Sequence, residues 1–126
     1  MTKSTQAAQQ QVKDLERLSS QAGASEEIIS KAATLQNSVD QALSDTSKFR
    51  RSFGDSQRAL LKPQDKKLAK SDAAAGKDSK ALGHQLEEVP PDVERLNTAI
   101  RHVGKTLEEL QADQLNLGKV MGIPSH

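Results

Sequence analysis

From Val93 onward the chain places an aliphatic residue at every third or fourth position. Val93, Leu96, Ile100, Val103, Leu107 and Leu110 follow one another at alternating steps of three and four, and the same phase continues through Gln114 to Leu117 and Met121. Steps of three and four average 3.5 residues, so such a stripe stays on one face of an α-helix and marks a coiled-coil seam. A helix of this polarity is marginal alone in water, and its apolar face must find a mate. Pro90-Pro91 precedes the stripe, and Asp92 and Glu94 put negative charge at the positive end of the helix dipole. Gly118, Gly122 and Pro124 close it, which predicts a helix over about 91–119.

A second stripe has the same rhythm. Ile28, Ala32, Leu35, Val39, Ala42, Thr46, Phe49 and Phe53 are separated alternately by four and three residues. Ser25 is a candidate N-cap, with Glu26 and Glu27 in the first turn. The phase runs on through Gln57 to Leu60, so the helix is expected to span about 25–61, with Gly54 as a weak point and Lys62-Pro63 as its stop. Polar residues on the seams, Thr46, Gln57 and Gln114, are of the kind that set register and partner choice.

The remaining segments signal more weakly. Val12, Leu15 and Leu18 suggest a first helix over about 4–22, ended by Gly23. Over 64–89 the centre, 70–80, is Ala, Lys, Asp, Ser and Gly, good helix formers with little to bury. The expectation there is a partly disordered stretch that becomes helical near Leu82, with Leu82, Leu86 and Val89 as a short stripe.

Composition agrees with a seam rather than a thick core. Leu, Ile, Val and Phe together are 26 of 126 residues, just above the ~20% below which chains tend to be disordered, while the net charge of +1 does not force the chain open. Trp, Tyr and Cys are absent, and Phe49 and Phe53 are the only aromatics. The fold expected is all-α, one domain over 1–126: an elongated helical hairpin or an up-down bundle with coiled-coil packing.

A search for chemistry finds none. His84, His102 and His126 have no metal-ligand spacing, and the acidic pairs Glu26-Glu27, Glu87-Glu88 and Glu108-Glu109 are sequence neighbours that do not share a helix face. No phosphate-binding glycine loop and no nucleophile elbow occurs, and no thiol is available. Neither an enzyme, a cofactor, a metal nor a small-molecule substrate is expected.

Charge is uneven. Residues 48–80 hold ten Lys or Arg against four Asp, whereas both flanks are net acidic. Arg50, Arg51, Lys62, Lys66 and Lys67 are the candidate phosphate contacts, but Asp55, Asp65, Asp72 and Asp78 dilute the segment and no free aromatic interleaves with it. A solvated surface is the expected reading, with nucleic acid and membrane not the expected partners.

The leading expectation is a non-enzymatic protein-protein interaction module: a coiled-coil adaptor, scaffold or structural subunit. Its seam, Val93, Leu96, Ile100, Val103, Leu107, Leu110, Leu117 and Met121, would take another protein or a second copy, with Ile28, Leu35, Val39, Phe49 and Phe53 as a second seam. The alternatives are a secreted or surface helical effector or secretion-apparatus component, and a nucleic-acid or anionic-membrane binder acting through 48–80. A polar N-terminus without an apolar stretch makes the cytoplasm the default location, with signal-less secretion as the alternative.

Overall fold

The computed structural model describes residues 2–120. Four long helices, α1 (Lys3–Ser19), α2 (Ser25–Arg51), α4 (Lys62–Glu87) and α5 (Val93–Val120), with the short α3 (Asp55–Leu60) at a corner, account for 87% of them, and no strand occurs among the described residues. Each long helix packs against two neighbours in the order α1, α2, α4, α5 and back to α1, while α2 and α5 face each other less extensively across the diagonal. Consecutive helices alternate in direction, so α1 begins where α2 and α5 end. This is an up-down four-helix bundle.

Local chemistry sets each boundary. Thr2 caps α1, its hydroxyl accepting from the Thr5 amide at 3.3 Å. Gly23 takes a φ of +78° in the turn that follows, a conformation costly for any residue with a Cβ. Ser25 is the first helical residue of α2 rather than its cap; Ala24 holds the cap position and makes no side-chain bond. Asp92 caps α5, accepting from the amides of Glu94 and Arg95 at 3.0 and 3.2 Å.

The expected helix over 25–61 stops instead at Arg51. The Ser52 hydroxyl turns back to the Phe49 carbonyl at 2.6 Å, an alternative to continued helix, and Gly54 follows. The chain then folds Phe53 and Leu61 into the core. Phe49 and Phe53 meet edge to face, ring centres 5.1 Å apart. Leu60 and Gln57, assigned to the seam by phase, are exposed because the helix that would have carried them has ended. Lys62-Pro63 is a start, not a stop: Pro63 lies in the first turn of α4, where its missing N–H has no intrahelical partner to lose.

The stretch expected to be partly disordered is a continuous helix. Its inner face is Leu68, Ser71, Ala75, Ser79 and Leu82, two leucines with three small residues between them at steps of three and four. Ser71 donates to the Lys67 and Leu68 carbonyls, and Ser79 donates to Asp40 of α2 at 2.8 Å, so both hydroxyls are buried with partners. Leu86 extends this face, but Val89 is 94% exposed, since the chain has left the helix at Glu87.

Candidate functional site

The two seams expected to meet a partner are filled by the chain itself. Leu96, Ile100, Val103, Leu107, Leu110 and Leu117 are each at most 2% exposed, as are Leu35 and Val39, with Ile28 at 3%. Val93 and Phe49 are partly buried against the same core, and Met121 lies outside the described residues. The pairing left open by the sequence is therefore made within one chain.

Near one end the core carries a polar layer. Gln114 of α5 is fully buried and donates its amide to Thr46 of α2 at 2.8 Å and to Thr5 of α1 at 3.3 Å, while its carbonyl accepts from the Thr2 amide at 3.1 Å. Thr46 in turn donates to the Ala42 carbonyl. Three helices are joined by one side chain with its donors and acceptor occupied, the condition under which buried polar groups specify a core rather than weaken it.

The outer surface is more informative. Six lysines of α4 are exposed; five of them, at 62, 66, 70, 77 and 80, share one stripe with the exposed Ala73 and His84 at steps of four, four, three, four, three, four, and Lys67 lies off it to one side. At about 100° per residue the five lysines lie within roughly 80° of arc, opposite the Leu68–Leu82 inner face. This is a second heptad stripe on the same helix, written in lysine. It rises about 27 Å from Lys62 to Lys80.

Of the four aspartates that dilute this segment in sequence, the three on α4 lie to the sides of the lysine face, and Asp55 stands on α3. Asp65 accepts from Arg50 through both oxygens, at 2.8 and 3.0 Å, tying the end of α2 to the start of α4. Asp72 points the same way around α4; burial pushes its carboxyl above the usual range, against the opposing pull of Arg50, and its Oδ1 has no hydrogen-bond partner. Asp78 faces α5 across an open groove of ≈ 400 Å³ shared with Gln85, Glu94, Arg95 and His102. Glu109 and Asp113 of α5 line a lower groove beside Lys67 and Lys70. The acids occupy the flanking grooves, one of which Lys70 also lines, and the crest of the ridge carries lysines alone as charged groups. None of the ion pairs among the described residues uses a lysine of α4.

Of the expected phosphate contacts, Arg51, Lys62, Lys66 and Lys67 are exposed, whereas Arg50 is committed to Asp65 and only 23% exposed. The sequence reading missed Lys70, Lys77 and Lys80. Their helical phase, complementary to the core positions, is the signal that finds them. Lys48 and Arg51 in the last turn of α2 add charge beside the Lys62 end.

No three His, Asp or Glu side chains converge to hold a metal ion, and no helix is long and apolar enough to cross a membrane, among the described residues. Compared with models of known families, with curated proteins and with solved structures, the chain matches none.

Proposed function

We propose that the chain is a non-enzymatic binding module, an adaptor that docks an acidic macromolecule on the outward face of α4. The observation that carries this reading is the lysine ridge, five lysines on one exposed face with no acid among them. A merely solvated helix face mixes signs, as α5 does with Arg101, Lys105, Glu108 and Glu109. Like charges three or four positions apart repel by about 0.2–0.5 kcal/mol a pair, and the ridge contains Lys62/Lys66, Lys66/Lys70 and Lys77/Lys80, with Asp65 and Asp78 turned to the sides of that face. An anionic partner would turn that repulsion into attraction, steer the encounter and fix the orientation of docking. The seams support the same reading from the other side. Filled by the chain's own helices, they supply a rigid rod and leave recognition to its surface.

The test separates position from net charge. Lys70→Glu/Lys77→Glu and the α1 pair Lys3→Glu/Lys13→Glu change net charge equally. Retention on a sulfonate cation-exchange matrix should fall sharply for the α4 pair and little for the α1 pair. Equal losses would show that bulk charge, not the ridge, is responsible.

A further inference from the structure

We infer that the acidic partner is the phosphate backbone of a nucleic-acid duplex, contacted without regard to sequence. This rests on the docking reading above and adds the identity of the partner. Three properties of the ridge distinguish the candidates. First, it is long: about 27 Å of continuous helix carries five positive charges, the length of roughly eight base pairs, along which a duplex presents one negative charge per ~1.7 Å of axis. A protein partner would need acids strung out over that same distance, whereas a duplex supplies them everywhere. Second, between the lysines stand only small residues, Ala69, Ala73 and Gly76. The exposed aliphatics Leu60 and Val89 lie outside α4. A helix that lies in a bilayer interface needs large apolar side chains to insert, and this face has none. Third, the ridge holds no arginine and no aromatic. Arginine forks read guanine edges and aromatic rings stack on unpaired bases, so their absence from this face leaves point charges suited to a phosphate backbone.

The experiment is a salt titration of the full chain with a 20-base-pair duplex of mixed sequence, read by fluorescence anisotropy. Five neutralised phosphates give a log–log slope of about −4.5, so affinity should fall about 500-fold between 50 and 200 mM salt. Lys66→Gln/Lys70→Gln/Lys77→Gln should reduce the slope to about −1.8, a loss of only about 12-fold over the same range. Its circular dichroism spectrum should be unchanged and its melting temperature no lower, because these side chains are exposed and their mutual repulsion is relieved. Should the triple variant lose structure, Lys80→Gln alone should lower the slope by about 0.9. Poly-glutamate and vesicles containing phosphatidylserine are run in parallel. Lysine-dependent binding to either of these but not to the duplex overturns the assignment to nucleic acid and leaves the docking face standing. Duplex binding whose slope ignores the lysine substitutions also overturns it. Failure to bind any of the three removes both this inference and the docking reading beneath it.

Discussion

Asp72 and Gln114 show two ways of holding a polar group out of water in the same bundle. Gln114 has partners on two other helices and at the N-terminal cap, and its burial is complete. Asp72 is only partly covered, yet one of its oxygens has no donor and burial raises its carboxyl's proton affinity. The sign of the consequence follows from linkage. A carboxyl that binds its proton more tightly when folded contributes stability that is complete below the unfolded value near 4 and is lost as pH rises through the folded value. At neutral pH Asp72 therefore works against the fold, and Asp72→Asn should be the more stable protein, by an amount within about 1 kcal/mol. Thermal melts of the two proteins from pH 7 to pH 3 should show this advantage shrinking as acid protonates Asp72 and disappearing below about pH 4. A constant difference across that range would mean that the amide gains something other than relief from a desolvated charge.

At the scale of the helix, glycine reports how closely neighbours approach. Gly104 of α5 faces α1, and a Cβ there would meet the Val12 methyl at 2.8 Å. Val12 is only 5% exposed and is β-branched, with a stiff side chain that cannot swing aside as a long flexible one can. Gly83 of α4 also faces a close neighbour, but that neighbour is the amide end of Gln36, held only by a 3.4 Å bond to the Ser79 carbonyl. Gly104→Ala should thus lower stability by about 1–3 kcal/mol through overpacking, while Gly83→Ala should be neutral or gain up to about 1 kcal/mol of helix propensity. Urea unfolding of both variants checks the contrast, and equal effects would contradict the packing described. The helices also show what could be read in advance. The seam of α5 was legible from Val93 to Leu117 because aliphatic side chains occupy every step but one. The end of α2 was not, because Phe53 keeps the heptad phase while the backbone has already turned at Ser52. The inner face of α4 escaped notice because Ser71, Ala75 and Ser79 do not look like core until other helices cover them. The lysine ridge is hidden for a related reason: counting charge along a segment mixes residues that a helix separates by about a third of a turn.

For the molecule as a whole, a heptad stripe states that a helix needs a mate without saying which, and here all four mates are in one chain. Deleting residues 91–126 removes α5 and strips cover from both α1 and α4. The truncated chain should lose most of its far-UV helical signal and its cooperative melt; a soluble, helical remainder would show that α1, α2 and α4 suffice by themselves. The buried Gln114 has a consequence for how such a chain assembles. Aliphatic ridges alone would accept α5 displaced by one heptad, about 10.5 Å along the axis, since one leucine then takes another's place. In that slipped arrangement the Gln114 amide would sit among hydrocarbon with its bonds unmade, a penalty of about 1–3 kcal/mol, or roughly five- to 150-fold in population. One amide thereby acts as a length standard for the whole bundle, rejecting misaligned copies of the fold that hydrophobic burial by itself would tolerate.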